Sequence, residues 1–500
     1  MTEHHRVAIV GTGFAGLGMA IRLKQEGEDD FVLLERAGDI GGTWRDNTYP
    51  GCRCDVPSHL YSFSFAPNPN WSSTFSPQGE ILDYLKDCAE HFGVLPHVCF
   101  ETELESAEWD GDEGLWRIET STGPMTANFL VAAQGPLSEP ALPDVPGLED
   151  FEGTAFHSAR WDHDHDLTGE RVAVVGTGAS AIQFVPQIQP KVGKLHVFQR
   201  TAPWVIPHRN RPLTGWERAL YRLFPPAQRA MRAGIYWARE LFVLLYRHRP
   251  VNRLLEQLPL RHMHSQIKDR ELRRKLTPGY SMGCKRILPT DEWYPALAQP
   301  NVEVVTGGVT EVRPHSVVAE DGTEREVDTI IFGTGFHVTD VPIADRVTGR
   351  HGRTLAETWN GSMSAYKSTT VAGYPNLFFL VGPNTGLGHT SIVFMIESQI
   401  TYVLDALRTL RARGAATLEV REEAQAAYNA ELDRMTRGTV WVTGGCTSYY
   451  IDRNGHNSAL WPTYTWPFRR QLRRFDPAAY ALDLRAQDVP DARRPLVVQG

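Results

Sequence analysis

Five hundred residues, 42% of them hydrophobic, are enough for a large core and suit two or three domains. A net charge of −8 with no long basic run excludes a nucleic-acid binder, and no apolar stretch approaches the ~20 residues of a membrane span. The polar start Met1-Thr2-Glu3-His4-His5 carries no targeting pattern, so the six cysteines (Cys52, Cys54, Cys88, Cys99, Cys284, Cys446) are expected as free thiols in a cytoplasmic protein.

The first predicted strand, Val7-Ala8-Ile9-Val10, runs into Gly11-Thr12-Gly13-Phe14-Ala15-Gly16, a helix-like segment, and a second apolar run ending at Leu33-Leu34-Glu35. The same layout returns as Val172-Ala173-Val174-Val175, then Gly176-Thr177-Gly178-Ala179-Ser180-Ala181, ending at Val197-Phe198-Gln199-Arg200. Each is a βαβ dinucleotide fingerprint, in which glycines make the tight turn and let backbone approach a pyrophosphate at the helix N-terminus. A lone GxGxxG is weak evidence; two in register, each between strands, are strong. Glu35 suits a free ribose 2′-hydroxyl, whereas Arg200 with Thr201 suits the 2′-phosphate of NADP.

Between the fingerprints lies a Pro/Gly-rich joint from Gly135-Pro136 through Pro146-Gly147. Leu213 to Leu276 reads as a helical insertion, with Trp237, Leu241, Leu244 and Leu245 at helical spacing. Its apolar face is expected to pack inward over a ligand cleft; a helix lying on a membrane surface is the alternative. Sheet patterning then returns at Val302–Val305 and Thr329–Phe332, the latter leading into Gly333-Thr334-Gly335-Phe336. An apolar strand running into Gly-Thr-Gly marks close approach of backbone to a ligand, so Gly335 and Phe336 are candidate cofactor residues. Asn376–Val381 reads as a buried strand, and the loop after it supplies Asn384 before a helix predicted over about 391–410.

The run Phe151-Glu152-Gly153-Thr154-Ala155-Phe156-His157-Ser158-Ala159-Arg160-Trp161-Asp162 resembles the F-x-G-x-x-x-H-x-x-x-W-[PD] signature of type I Baeyer–Villiger monooxygenases, class B flavoproteins related to the flavin-containing monooxygenases. The resemblance covers nearly the whole chain, in family order. It implies an α/β fold of two Rossmann-like domains, for FAD and NADP, with the helical insertion in the NADP domain. The division expected is an FAD-binding part over 1–140, a linker over 141–152, and NADP-binding parts over 153–210 and 283–345. The insertion takes 211–282, and 346–500 completes the FAD domain.

Gly41-Gly42-Thr43-Trp44 through Tyr49-Pro50-Gly51 to Asp55 is similar to the family's flavin-lining segment, and Gly283-Cys284-Lys285-Arg286 to its G-x-K-R run. The resemblance therefore makes Asp55 and Arg286 the catalytic pair and puts Lys285 with Arg200 on the NADP phosphate. Tyr61 and Gly135 join the expected cofactor contacts. His157, with Phe151, Gly153, Trp161 and Asp162, is assigned to cofactor positioning rather than proton transfer.

The activity implied is NADPH- and O2-dependent oxidation of a ketone to an ester or lactone through a flavin C4a-peroxide, kept anionic beside a guanidinium that stays charged. Small-molecule ketone and O2 are then the partners; no metal is expected, and oligomeric state is left open, a monomer included. Rival readings are an N- or S-oxygenating flavin monooxygenase and, remotely, a non-catalytic FAD/NADP sensor. Tyr449 stands where relatives often carry a tryptophan in a segment closing over the nicotinamide.

Overall fold

The computed structural model describes residues 2–483. Strand β1 (Glu3–Val10) buries Val7, Ala8 and Ile9 completely, as expected of a parallel strand covered on both faces. Helix α1 (Phe14–Gln25) connects it to β2 (Phe31–Leu34), with Val10 opposite Leu34. Then come α2 (Thr43–Asp46), α3 (Gln78–His91), β3 (Val98–Cys99) and a meander of β4 (Leu104–Asp110), β5 (Leu115–Thr120) and β6 (Gly123–Ala132). The sheet order is β4-β5-β6-β1-β2-β3, parallel from β6 to β3. Two late segments rejoin this sheet: Val347–Thr348 beside β4 and Leu377–Phe379 beside the end of β6. The helix Ile392–Arg413 packs on α1; the Ser391 hydroxyl accepts from Val393 N–H at its start, and Gly414 ends it at φ 64°.

The second sheet is wholly parallel, in the order Val302–Thr306, β9 (Lys194–Gln199), β8 (Arg171–Val175), Thr329–Phe332, β7 (Thr154–His157). Helix α4 (Ala181–Ile188) links β8 to β9. With two Rossmann-like sheets, the architecture is the α/β fold expected.

Between the two halves of this second sheet stand α5 (Gly215–Leu223), α6 (Pro225–Glu240), α7 (Val243–Arg247), α8 (Arg249–Leu255), α9 (Gln257–Gln266) and α10 (Arg270–Leu276). The Thr214 hydroxyl and Glu217 carboxylate cap α5 reciprocally. The expected inward packing fails at two positions: Leu245 is buried, but Trp237 and Leu241 are 57% and 64% exposed. The inner side of α6 is occupied by polar groups instead. Gln228 Nε2 donates to Asn68 O at 2.6 Å, Tyr236 meets the Thr465 hydroxyl at 3.1 Å, and Glu240 accepts from Thr465 N–H at 3.0 Å. Helical spacing specifies a stripe, not the side on which the rest of the protein lies.

The expectation of six free thiols also needs correction. Cys284 and Cys446 form a disulfide, 162 residues apart in sequence with Cα atoms 6.2 Å apart, while Cys52, Cys54, Cys88 and Cys99 are free. A pairing of that range depends on tertiary folding, which cysteine spacing does not reveal. Among the described residues no helix is long and apolar enough to cross a membrane, and no cluster suits a metal ion.

Candidate active site

A cavity of about 990 Å3 is lined by both glycine-rich turns. In the first, Gly11 sits at φ 100°, and a Cβ there would press on Ala133 O at 3.1 Å; at Gly16 it would fall 1.8 Å from Gly11 O. At Gly13 a Cβ would meet protein only at Gly42 Cα, 3.9 Å away, so that backbone is open toward the cavity. The second turn repeats this: Gly176 at φ 111° is closed off by Gly333 O, whereas Gly178 is open. Two backbone cradles of this kind, at helix N-termini in one cavity, fit two pyrophosphates.

Glu35, directly after β2, is a fixed, buried carboxylate. It accepts from the Thr12 hydroxyl, from Thr12 N–H at 3.3 Å, from Ala37 N–H at 3.0 Å and from Arg45 Nη1 at 2.7 Å. Burial opposes the charge on Arg45, but Asp46 and Glu35 hold that guanidinium above its ordinary pKa. The other turn ends in the opposite situation. Arg200 is exposed and lines the cavity, and among the described residues no carboxylate pairs with it. Nearby, Lys285 Nζ donates to the Thr201 hydroxyl at 2.7 Å, and burial together with the Arg200 charge lowers its pKa. Two cations that disfavour one another this way suit a dianionic phosphate between them.

Asp55 and Arg286, 231 residues apart, form a two-point ion pair in the same cavity: Nε donates to Oδ2 and Nη2 to Oδ1, each at 2.7 Å. Burial would raise the Asp55 pKa, yet the charges and hydrogen bonds of Arg286, with Arg239 beyond, keep it below the usual carboxylate value. Arg286 in turn lies well above its ordinary value because of the Asp55 charge. Arg239, from α6, donates to Asp55 O at 3.2 Å and to His389 O at 2.9 Å. Tyr449 also lines the cavity, its hydroxyl donating to that of Tyr450 at 3.1 Å.

Most of the expected cofactor residues line this cavity: Phe14, Ala15, Gly42, Thr43, Trp44, Tyr61 and Gly135 on one side, and Thr177, Ala179, Ser180, Gly335 and Phe336 on the other. Trp44 is fixed by a 3.1 Å hydrogen bond to the Tyr61 hydroxyl. Asn384 does not reach it; its amide is committed to Asn457 O at 2.6 Å. The signature residues stand behind the wall. His157 Nδ1 accepts from Ala159 N–H at 3.1 Å, and burial pushes its pKa down to about 4, which favours the neutral ring. It lies edge-on to Phe336, with ring centres 5.7 Å apart. Trp161 packs on Phe156 and Phe184, Gly153 abuts Asp328 O, where a Cβ would come within 2.2 Å, Phe151 packs on the sheet's core, and Asp162 accepts from Asp164 N–H.

Sequence reasoning missed Thr12 and Arg45 on Glu35, and Arg239 beside Asp55. It also missed Gln183 of α4, whose amide accepts from Tyr49 OH at 3.0 Å and donates to Arg53 O at 3.1 Å, joining the Asp55 segment to the second turn. The spacing after a G-G-x-W run could have flagged Arg45. Nothing in Trp237-Ala238-Arg239-Glu240 distinguishes Arg239 from a solvated helix cation.

Residues 4–350 match the flavin-binding monooxygenase-like family model, and the chain belongs to that family. It is 56% identical over 482 residues to a Baeyer–Villiger monooxygenase of Streptomyces coelicolor, covering 96% of this chain and 92% of the relative. A Baeyer–Villiger monooxygenase of Pseudomonas aeruginosa is 52% identical over 483 residues, with the same coverage. Among solved structures, an oxidised steroid monooxygenase bound to NADP superposes with a TM-score of 0.85 at 30% identity, covering 96% of this chain and all of that one. Closed cyclohexanone monooxygenase gives 0.86 at 27% identity, over 97% of this chain and all of its own. Within the family, then, the chain is a member of the Baeyer–Villiger monooxygenases, flavoenzymes working with FAD and NADPH.

Proposed function

We propose that the chain oxidises a ketone to an ester or lactone at the Asp55–Arg286 pair, with FAD on the Glu35 side of the cavity and NADPH on the Arg200 side. The observation that carries this is a bidentate cation–carboxylate pair in the cavity that both fingerprints line. FAD, when bound and reduced by NADPH, supplies the activation of O2. Arg286 keeps a positive charge at a fixed point, ready before the reacting oxygen develops its own charge. Asp55 aims that guanidinium through two hydrogen bonds, and Arg239 holds the backbone of Asp55. Glu35 is oriented to accept from a ribose hydroxyl, and Arg200, Lys285 and Thr201 to take the 2′-phosphate. His157 sets Phe336 from behind and exchanges no proton.

The sheet memberships support the domain division given above, with 346–483 returning to the FAD domain, while 484–500 lie outside the described residues. The four free cysteines favour a cytoplasmic location, and the Cys284–Cys446 disulfide counts against it. The purified yellow protein is expected to consume NADPH faster when a ketone is added, with a product heavier by one oxygen atom. NADPH consumption indifferent to linear, cyclic and aryl ketones alike, with no oxygenated product, overturns the reading.

A further inference from the structure

The insertion turns much of its apolar surface outward. Of the eighteen large hydrophobic side chains exposed among the described residues, twelve fall between Trp216 and Leu258. They follow helical spacing: Trp216, Leu220 and Leu223 along α5, then Val251, Leu254, Leu255 and Leu258 from α8 into α9. The last four stand at i, i+3, i+4 and i+7, the stripe an amphipathic helix normally turns to a core. Their buried counterparts include polar groups, Glu217 on α5, Gln228 and Glu240 on α6 and Asn252 on α8, beside the apolar Tyr221, Tyr236, Val243, Leu245 and Tyr246. Asn252 donates to Met282 O at 2.6 Å, so these groups are anchored to the body of the protein and the apolar stripes cannot rotate inward without breaking such bonds.

Charge follows the same division. Residues 216–258 hold eight arginines and three glutamates in a chain of net charge −8. All three carboxylates are engaged: Glu217 with Arg211, Glu240 with Thr465, and Glu256 with Met282 N–H. Arg222, Arg229, Arg249 and Arg253 stay exposed among the leucines. Trp466 and Val442, also exposed, sit next to this region, since Tyr236 bonds Thr465 and Arg249 donates to Thr443 O. Leucine and tryptophan stripes flanked by arginine suit the interfacial layer of a bilayer with anionic headgroups. A second copy is a poorer occupant, because a two-fold contact would set this arginine-rich face against itself.

We propose that the α5–α9 face docks the enzyme on anionic lipid membrane, peripherally and without spanning it. The test is flotation of the holoenzyme with vesicles of phosphatidylcholine alone or with a third phosphatidylglycerol. Wild type is expected to float with the anionic vesicles, less with the neutral ones, and to be released by salt. The triple variant Leu223→Ser/Leu254→Ser/Leu258→Ser should lose binding by about a hundredfold or more. Arg229→Glu/Arg253→Glu should lose about tenfold on anionic vesicles alone. Both variants should keep bound flavin and wild-type turnover of a water-soluble ketone, which shows that they fold. Absence of wild-type flotation, equal flotation of the variants, or indifference to lipid charge overturns the proposal. So does a wild-type dimer in sedimentation that the triple serine variant dissolves, which would assign the face to a second copy.

Discussion

In the first βαβ unit the helix begins at Phe14, directly after Gly13; in the second it begins at Ala181, two residues later relative to its fingerprint. The tighter entry carries α1 so close over β1 that Gly16 has no room for a methyl, with Gly11 O 1.8 Å from where it would sit. The looser entry of α4 tolerates Ala181, and glycine moves to the neighbouring strand instead: Gly333 stands where the first sheet has Ala133. One methyl has changed sides of the helix–strand crossing. The far ends differ in charge, a buried Glu35 held by Thr12 and Arg45 against an Arg200 with no carboxylate partner among the described residues. The fingerprint thus specifies the turn, while the distance at which helix crosses sheet decides whether the helix position facing the strand must be glycine.

Gly16→Ala breaks this comparison most severely. The clash is with backbone, so little or no folded yellow protein is expected, although the equivalent second position carries alanine already. A stable Gly16→Ala holoenzyme in flavin absorbance and melting would refute the crossing argument. Next in size is the point where the two units meet. Arg286→Ala should lower ketone oxygenation by ~10²–10³ while flavin reduction by NADPH persists, with oxygen ending as hydrogen peroxide. Stopped-flow reduction and product mass separate the two steps; near-normal ester formation would remove Arg286 from the role given it.

Arg200→Ala should raise the KM for NADPH by about tenfold or more and barely alter that for NADH, since a charge-assisted bond is worth ~1.5–3 kcal/mol. Equal losses with both nucleotides would mean that Arg200 does not read the 2′-phosphate. The smallest effect is expected from Gly333→Ala. Its methyl would lie 3.4 Å from Ala181 Cβ, an ordinary contact, so stability measured by thermal melting should change by about 1 kcal/mol or less. A loss as large as that of Gly16→Ala would show that the two crossings are equally tight.

Both fingerprints were legible because everything they need is local: an apolar strand, a glycine turn and a terminal charge within 29 residues. The Asp55–Arg286 pair is legible only through resemblance, because no local pattern joins positions 231 apart. The Cys284–Cys446 link lacked even that. The tie from the Asn384 amide to the Asn457 carbonyl was not legible, because a glycine-rich polar loop looks alike whether it serves a ligand or the protein's own backbone. The insertion was read correctly as helical and wrongly as inward-facing at Trp237 and Leu241, since periodicity carries no sign.

Asp55 follows the first fingerprint and Arg286 comes from the segment after the insertion, so the pair is shared property of two otherwise separate nucleotide folds. Recombination between relatives has to respect this. A chimera that exchanges one fold intact inherits its glycines, its terminal charge and hence its own dinucleotide, yet it imports only half of the pair. Its success depends on whether the foreign carboxylate meets the resident guanidinium in register, and on whether the local equivalents of Gln183 and Arg239 hold it there. For breeding new ketone oxidants from this scaffold, the useful seam therefore runs through the outer helices and leaves the junction between the folds uncut.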